Sequence, residues 1–414
     1  MKSENISDAA IGGMGVLSCA GDGCAETLLH LFQPDSSHPA LPGPRTGTTL
    51  NIPLFELPPF RTAGAPGLLS SLKHPGGGKN AADLTRSMEL LLHALEEALL
   101  EADLSLSELR CRRTGVCIGT TVGCQLNDLE YYARIRNGDF SHPNPMKNYL
   151  RGNPAELLRE GLALNGPALC ISNACASGSD ALGIAGLWIR SGLCDLVIAG
   201  GTDALDRVPI AGFHALGVDS DEPCRPFDKH RKGLNLGEAA GVVILESAES
   251  ARKRGKKPEF FLSGYGNSAD AYHITRPRPD ADGLLRAFGG AMKMAGIHNA
   301  RDIAFINAHG TGTPANDSCE ANAIDHFFGP DTPYFSTKAL TGHTLGAAGA
   351  IEFIFTVLLL KDGRIPPSYG FREKPEDILR PPQTEPALIR HQRFALSDSL
   401  AFGGSNAALI AERR

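Results

Sequence analysis

The sequence lacks several features that would assign it to a particular class of protein. None of its 10 cysteines forms a Cys-x-x-Cys pair, so a zinc site or a thioredoxin-like redox motif has no support. Basic residues are not in excess, because the formal net charge is −6, which argues against a general nucleic-acid-binding protein. Hydrophobic residues make up 42% and charged residues 21%, which is typical of a globular protein with a substantial core.

A long uninterrupted hydrophobic run is also missing. The most apolar stretch, Leu345–Leu360, carries Glu352 and is shorter than the about 20 residues that a membrane-spanning helix needs. The N-terminal segment Met1–Ala10 mixes charged and small side chains and lacks the apolar centre of a secretory signal. These absences predict a cytoplasmic protein without a membrane segment.

Strand-like and helix-like patterns alternate along the chain and predict an α/β fold. A helix is predicted at Ala81–Glu101, and residues 34–80, rich in Pro, Gly and Ser, are predicted to be loop. The most informative unit is a strand at Ala168–Ser172, a tight turn, a helix of small residues at Gly178–Arg190 and a strand at Asp195–Ala199. This order predicts a βαβ unit.

The second half of the chain repeats this rhythm. A strand at Ile303–Ala308 is followed by a Gly-Thr turn and a helix at Ser318–Phe328, and a long apolar helix occupies Leu345–Leu360. We therefore predict two α/β halves related by internal duplication, at residues 1–255 and 256–414.

One cysteine, Cys175, lies in the turn between the predicted strand and the helix of small residues. The pKa of a cysteine at a helix N-terminus is expected to be lowered, because the helix dipole and free N–H groups favour the nucleophilic thiolate. The alternative is a buried structural cysteine, since free cysteine is among the most buried residue types. The turn alone does not decide between the two.

Two histidines are the other candidates for catalysis. His309 lies where a predicted strand ends, before a run of glycines and threonines that allows a sharp turn around a ligand. His343 precedes the apolar helix that carries Glu352. Lys338 and Glu352 have apolar neighbours in the sequence, so each needs a partner if buried. The alternatives are two core histidines with satisfied hydrogen bonds and a solvated surface lysine.

The turn after His309 has a second interpretation. The pattern Gly310-x-Gly312-x-x-Ala315 follows a predicted strand and precedes a predicted helix, as a dinucleotide-binding loop does. No Asp or Glu ends a second strand at the distance that such a site requires, so a nucleotide-binding oxidoreductase is a weak alternative.

Four ordered motifs together resemble the signatures of β-ketoacyl-acyl-carrier-protein synthases of the elongating type. They are Asn173-Ala174-Cys175-Ala176-Ser177-Gly178, His309-Gly310-Thr311-Gly312-Thr313, Lys338-Ala339-Leu340-Thr341-Gly342-His343 and Phe402-Gly403-Gly404-Ser405-Asn406. Cys224-Arg225-Pro226-Phe227-Asp228 and Leu236-Gly237-Glu238-Ala239-Ala240-Gly241 are similar to further segments of the family. The likeness extends from about Gly12 to Ala411.

The resemblance implies a thiolase-like fold, in which two similar halves form alternating layers of helix and sheet, usually in a homodimer. It also implies a Cys175–His309–His343 triad. The similar chain-initiating synthases use Cys-His-Asn and the thiolases use a second Cys, so His343 indicates the elongating, decarboxylating class. Chain-length factors resemble the family but lack the cysteine, so Cys175 argues for an active subunit.

The resemblance also implies a role for each residue around the triad, and no cofactor, because acyl groups arrive on the phosphopantetheine arm of an acyl carrier protein. The implied roles are a charged support for the histidines (Lys338 and Glu352), an oxyanion hole and gate (the N–H groups of Cys175 and Phe402, with Gly403), contacts to the pantetheine arm (Thr311 and Thr313) and walls of the acyl pocket (Val122 and Phe213).

Three segments depart from the family pattern. Asn173 stands where threonine is commoner in housekeeping enzymes, and Asp219–Glu222 is acidic where the carrier-docking surface is often basic. The extended segment 34–80 differs as well. These departures favour a specialised pathway, for a polyketide, an aryl polyene or a pigment. The basic run Ala251–Lys257 is either a contact for an acidic carrier or a solvated helix end. A weakly catalytic partner subunit of a heterodimeric ketosynthase remains the main alternative.

Overall fold

The computed structural model describes residues 8–33, 37–58, 84–122, 129–141, 153–389 and 393–414. The strands are β1 (Ala9–Ser18), β2 (Gly21–Asp22), β3 (Thr114–Gly119), β4 (Ala168–Ile171), β5 (Leu196–Asp203), β6 (Ala239–Ser247), β7 (Phe260–Ala269), β8 (Ile303–Asn307), β9 (Tyr334–Phe335), β10 (Arg364–Ile365), β11 (Ala387–Leu388), β12 (Phe394–Ala401) and β13 (Ser405–Arg413).

The α-helices are α1 (Cys24–His30), α2 (Arg86–Ala102), α3 (Leu106–Arg110), α4 (Leu129–Arg136), α5 (Pro154–Gly161), α6 (Ser177–Arg190), α7 (Arg207–Leu216), α8 (Ala248–Lys253), α9 (Asp282–Ala295), α10 (Pro314–Phe328), α11 (Lys338–Thr341) and α12 (Ala348–Asp362). Short 3-10 helices lie at Pro44–Thr46, Ala300–Asp302 and Leu345–Ala347.

One large mixed sheet contains the same strand arrangement twice. Its order is β4-β3-β5-β6-β1-β7-β13-β12-β8-β9, with β2 paired to β1, and β10 and β11 form a small separate sheet. In the first half β1/β6 and β6/β5 are antiparallel, whereas β5/β3 and β3/β4 are parallel. The second half repeats these directions in β7/β13, β13/β12, β12/β8 and β8/β9. The two halves are therefore structural repeats.

Helices cover the sheet in equivalent positions of the two repeats. A Cβ on Gly15 of β1 would lie 2.0 Å from the carbonyl oxygen of Ala94 in α2, and one on Gly266 of β7 would lie 2.0 Å from that of Ala287 in α9. The first strand of each repeat thus uses glycine to let a helix backbone touch it. The other face of the sheet packs against α6 and α12.

The apolar helix α12 occupies the centre of the molecule. Its residues Ala348–Leu360 are all buried, and its side chains share one core cluster with residues of both repeats. Within the described ranges, no helix is long and apolar enough to cross a membrane. The hydrophobic run at 345–360 is accordingly a core element.

The predicted helix at Ala81–Glu101 was placed too early in the chain. The helix begins at Arg86, because the side chain of Thr85 caps it by accepting a hydrogen bond from the N–H of Met88. Residues 81–83 lie outside the described residues, as do 34–36 and 59–80 of the predicted loop. The helix predicted to begin at Ser318 begins at Pro314, where proline is favoured in a first turn. The apolar helix begins at Ala348, after a 3-10 turn.

Candidate active site

The candidate catalytic residues lie at the carboxyl ends of strands in both repeats. Cys175 follows β4 and precedes α6, and His343 follows β9 and precedes α12, so the two occupy corresponding places. A Cβ on Gly178 of α6 would lie 2.8 Å from the N atom of Ala350 in α12, so the glycine lets the two helix N-termini touch. This contact brings the nucleophile of one half to the histidines of the other.

Cys175, His309 and His343 form a compact and buried trio. The Sγ atom and one ring nitrogen from each histidine lie within 4.8 Å of one another. The two imidazole rings are 5.3 Å apart between centroids and stand at 87°. The exposed fraction of Cys175 is 5%, and those of His309 and His343 are 1% and 2%. The trio can therefore act on a group that enters through a cleft, shielded from bulk water.

Hydrogen bonds assign the tautomer of each histidine. Nδ1 of His343 accepts from the N–H of Leu345 at 3.1 Å, and Nδ1 of His309 lies 3.2 Å from the Nζ of Lys338. Since Nδ1 accepts in both rings, Nε2 carries the proton in both. Burial and the nearby Lys338 lower the pKa of His343 to about 3, and the same causes hold the pKa of His309 well below its usual range. Both rings are neutral hydrogen-bond donors at physiological pH.

Lys338 lies beneath the histidines and is fully buried, which excludes the solvated surface lysine. Its Nζ donates to the carbonyl oxygen of His309 at 2.5 Å and forms a close ion pair with Glu352 of α12. Burial raises the pKa of Glu352 to about 7, although Lys338 opposes this shift. The charged pair fixes His309 relative to the central helix.

The expectation of a lowered pKa for Cys175 is wrong. Burial raises the pKa of its thiol to about 11, and the smaller opposing effects come from Lys338 and from the backbone N–H groups of Phe402 and of Cys175 itself. Removal of the thiolate from water disfavours it by more free energy than the helix N-terminus contributes in its favour. The same environment places two N–H donors beside the sulfur.

The N–H donor of Phe402 lies in a glycine turn between β12 and β13. Gly403 and Gly404 have φ values of 86° and 82°, a backbone conformation that side chains other than glycine rarely adopt. The ring of Phe402 stacks on Phe213 at 5.5 Å between centroids, and Phe213 also meets the edge of His343 at 6.2 Å. Phe402 thus forms part of the wall around the trio.

A cleft of about 440 Å³ leads to the trio. Thr311 and Thr313 line it, and their hydroxyl oxygens are 2.8 Å apart. Lys232 and Arg276 also line this cleft. Cys175, His309, His343 and Phe402 line it as well. A cleft that has polar side chains in its wall and reaches a nucleophile suits a long, flexible substrate.

The two residues predicted to line an acyl pocket do not line this cleft. Val122 and Phe213 instead each pack against the margin of one apolar cluster, which contains Leu345. Asp203 holds the turn before Val122, because its carboxylate accepts from the N–H of Thr121 at 2.8 Å and of Gly346 at 2.6 Å. Val122 is therefore fixed relative to the segment that follows His343.

Comparison with known proteins identifies the family. Models of the β-ketoacyl synthase N-terminal and C-terminal domains match residues 72–251 and 260–372. The 3-oxoacyl-[acyl-carrier-protein] synthase 2 of Staphylococcus aureus is 36% identical over 351 residues, which cover 80% of this chain and 85% of that protein. The chain belongs to the β-ketoacyl synthase family.

Solved structures of ketosynthases share its whole architecture. The ishigamide ketosynthase/chain length factor aligns with a TM-score of 0.86 and 31% identity, over 99% of both chains. A type II PKS acyl-carrier protein in complex with its ketosynthase bound to the hexaketide, AntDE:AntF, has a TM-score of 0.85 and 26% identity over 99% of this chain and 100% of that one. The α/β fold of this condensing enzyme is thiolase-like, as the motifs predicted.

The alternative interpretations of the motifs do not fit this synthase. A dinucleotide loop needs free N–H groups at the start of α10, but the Asp317 carboxylate accepts from Gly312 at 3.2 Å and from Phe227 at 2.6 Å there. The trio offers three ligand atoms to a metal ion, but the ammonium group of Lys338 lies 3.2 Å from His309 Nδ1 and opposes a cation.

The charged segments at the surface are mostly paired. In the basic run, Arg254 binds Glu246 at 2.9 Å and Lys256 binds Asp103 at 2.9 Å, which agrees with a helix end. In the acidic segment, Glu222 binds Lys232 at 2.6 Å. Neither segment is a free patch of one charge.

Four polar residues that hold the site together had no structural role in the sequence analysis. Asp203 and Glu320 were not noted, and the Glu320 carboxylate accepts from the N–H groups of His309 at 2.5 Å and Gly310 at 2.8 Å. Asn173 and its partner Ser405 were noted only as members of motifs. Asp203 lies four positions beyond the predicted strand Asp195–Ala199, and the structure extends this strand to Asp203. The others required the geometry.

Proposed function

We propose that this synthase forms a β-ketoacyl thioester by joining an acyl group carried on Cys175 to malonyl-acyl-carrier protein with loss of carbon dioxide. The observation that carries the proposal is the buried trio of Cys175, His309 and His343 at the end of a cleft. Two neutral histidines beside a cysteine suit an enolate better than a base-activated hydrolysis, because both rings donate hydrogen bonds.

In the first step, the sulfur of Cys175 attacks the carbonyl carbon of an acyl thioester. The carbon–sulfur bond to the pantetheine arm breaks, and the thiol proton of Cys175 leaves on the pantetheine sulfur. The N–H groups of Cys175 and Phe402 stabilise the tetrahedral oxyanion, and covalent capture divides one difficult reaction into two easier ones. Thr311 and Thr313 contact the pantetheine arm within the cleft.

In the second step, malonyl-carrier protein occupies the same cleft. Its carbon–carbon bond to the carboxylate breaks, carbon dioxide leaves, and the electron pair forms a thioester enolate. The Nε2–H groups of His309 and His343 donate to the enolate oxygen. The enolate carbon then attacks acyl-Cys175, the sulfur leaves as a thiolate that takes up a proton from water, and the product remains on the carrier. Lys338 and Glu352 orient His309 throughout.

Carrier protein and partner subunit are part of the proposal. The similar AntDE:AntF structure contains an acyl-carrier protein, and another similar structure is described as a ketosynthase/chain length factor. We propose that this synthase takes its substrates from an acyl carrier protein and works as a homodimer or with a related subunit. The neighbours and the departures at Asn173 and Asp219–Glu222 favour a polyketide or aryl polyene-type pathway, without a bound cofactor.

The test is the intact mass of the chain after incubation with a panel of acyl-carrier proteins. We expect one acyl group per chain, mapped by peptide analysis to Cys175 and absent from Cys175→Ser. A label on Cys170 or Cys319 with Cys175 unmodified would contradict the assignment. A chain that accepts no acyl group from any carrier, but changes the product of a related synthase, would instead be the partner subunit.

A further inference from the structure

The two turns that carry the oxyanion-hole N–H groups are joined by one side chain, Asn173. Cys175 lies in the first turn and Phe402 in the second, and these turns belong to different repeats. Oδ1 of Asn173 accepts from the hydroxyl of Ser405 at 2.8 Å. Nδ2 of Asn173 donates to the carboxylate of Asp180 at 2.6 Å. The amide thus links the turn that carries Phe402 to the N-terminal end of helix α6.

The far end of this link is itself fixed. Asp180 is buried, with 4% of its surface exposed, and also accepts from the hydroxyl of Tyr265 at 2.9 Å and from Nδ2 of Asn267 at 2.7 Å. Both of these donors lie on strand β7, which belongs to the second repeat. Because a carboxylate only accepts, the Nδ2 group of Asn173 must be the one that faces Asp180. The orientation of the amide follows from this network.

The nucleophile turn needs such an anchor, because its backbone is strained. Ala174 has a φ of 46°, in the left-handed region that residues with a Cβ atom rarely adopt. The Oγ of Ser177 accepts from the N–H of Asn173 at 2.8 Å and donates to the carbonyl oxygen of Ala174 at 2.6 Å. A strained conformation persists only where its surroundings over-determine it.

We propose that Asn173 is a positioning residue that sets the spacing of the two oxyanion-hole N–H groups by bonding Ser405 and Asp180 at once. The inference rests on the proposed function. It gives a role to the residue at which this chain departs from the commoner threonine, since one hydroxyl offers a single hydrogen atom whereas an amide donates and accepts at separate atoms. Asn173 is not among the residues that line the cleft.

The proposal separates two of the three chemical steps from the third. Capture of the acyl group and the final condensation both pass through a tetrahedral oxyanion that the two N–H groups hold. Loss of carbon dioxide from malonyl-carrier protein uses His309 and His343 instead. A residue that only positions the oxyanion hole therefore affects the first two and leaves the third unchanged, whereas a residue that only stabilises the fold affects all three.

The experiment compares Asn173→Ala with Ser405→Ala, their double variant and Tyr265→Phe in the full-length chain. Tyr265→Phe is the matched control, because it removes a hydrogen bond from the same Asp180 carboxylate without touching either turn. We expect Asn173→Ala to slow acylation of Cys175 by about 10- to 100-fold at unchanged KM, as small misplacements of catalytic groups do. We expect malonyl decarboxylation to stay at the wild-type rate.

The double variant should be no slower than the slower single variant, because either substitution breaks the same link. If Asn173→Ala does not fold, Ser405→Ala tests the same link, because it removes the other partner of the hydrogen bond. The proposal fails if decarboxylation falls in parallel with acylation, or if Tyr265→Phe slows acylation as much as Asn173→Ala does. Acylation of the wild-type chain in the same assay tests the proposed function separately from this inference.

Discussion

At the scale of single residues, burial rather than helix dipoles determines the charge of the catalytic groups. The same dehydration raises the pKa of the Cys175 thiol and lowers the pKa of His309 and His343. Each group is therefore neutral in the resting chain at pH 7. The motifs predicted the identity of these residues, but not their ionisation, because burial depends on segments far away in the sequence.

Replacing either histidine should slow malonyl decarboxylation and spare acylation of Cys175. We expect His309→Ala and His343→Ala each to lower malonyl decarboxylation by about 10²–10³-fold, because each removes one donor to the enolate oxygen, and to retain acylation of Cys175. Separate assays of acyl transfer and carbon dioxide release check this. A variant that condenses at nearly the wild-type rate would show that its histidine is structural.

The pH profile of decarboxylation follows from the same neutral rings. Because the pKa of His343 is lowered to about 3 and that of His309 is also lowered, neither histidine gains a proton between pH 5 and 8. The plot of decarboxylation rate against pH should therefore show no rise or fall caused by these histidines. Two buried carboxyl groups, Glu352 and Asp398, have a pKa raised to about 7 and change charge in this interval, and Glu352 is the one that bonds Lys338. We expect Glu352→Gln to reduce a limb of the profile near pH 7 that Asp398→Asn leaves in place, and a limb unchanged in Glu352→Gln would contradict the assignment.

Val122 tests whether the apolar cluster beside the trio receives the acyl chain. In Val122→Phe, a larger side chain should shorten the accepted acyl group with little change in melting temperature, because the added ring occupies space meant for substrate. Product profiling and thermal unfolding of this variant are the measurements. An unchanged chain-length preference with a lower melting temperature would show that Val122 is an ordinary core residue.

At the scale of elements, glycines determine how closely the helices approach the sheet. The sequence revealed the small residues of α6, and the structure shows that they permit close packing. A Cβ on Gly183 would lie 2.3 Å from the ring of Tyr265 on strand β7. The sequence did not identify that neighbour, because Tyr265 lies 82 positions after Gly183 in the chain and reaches it only through the repeat of the fold.

Gly183→Ala should therefore destabilise the protein. The added methyl group overlaps a ring that is itself held by Asp180, so we expect a loss of about 1–3 kcal/mol in the free energy of unfolding. Gly289→Ala in α9 is the matched control, since a Cβ there meets nothing within 4 Å and alanine favours the helix. Chemical denaturation of both variants is the measurement. Equal stability of the two would contradict the steric argument.

At the scale of the whole molecule, the sequence predicted the α/β class and the duplication, and the motifs predicted the clustering of the trio. Motifs carry this information because each marks the end of a strand. Strands that occupy corresponding places in the two repeats end close together. The division at residues 255 and 256 stays a prediction. Buried charge could not be predicted in this way: Glu320, Glu352 and Asp398 gather around Lys338 from three separate segments. Their proximity exists only in the folded chain.

These buried carboxyl groups should make stability depend on pH. Burial raises the pKa of Asp398 from 3.8 to about 7, with Glu352 adding to the shift and Glu320, Lys338 and the His309 backbone opposing it. A raised pKa in the folded state stabilises the fold fully below the unfolded pKa, and this contribution is lost as pH rises towards 7. Wild type should therefore lose this contribution between about pH 4 and pH 8.

Asp398→Asn removes the titration while keeping the shape of the side chain. We expect the difference in free energy of unfolding, variant minus wild type, to increase steadily from pH 5 to pH 8, whatever its sign at pH 5. Ser397→Ala, the neighbouring substitution on the same strand, lacks a titratable group, so its difference from wild type should stay constant. Denaturation at several pH values measures both. A constant difference for Asp398→Asn would show that Asp398 takes up no proton on folding.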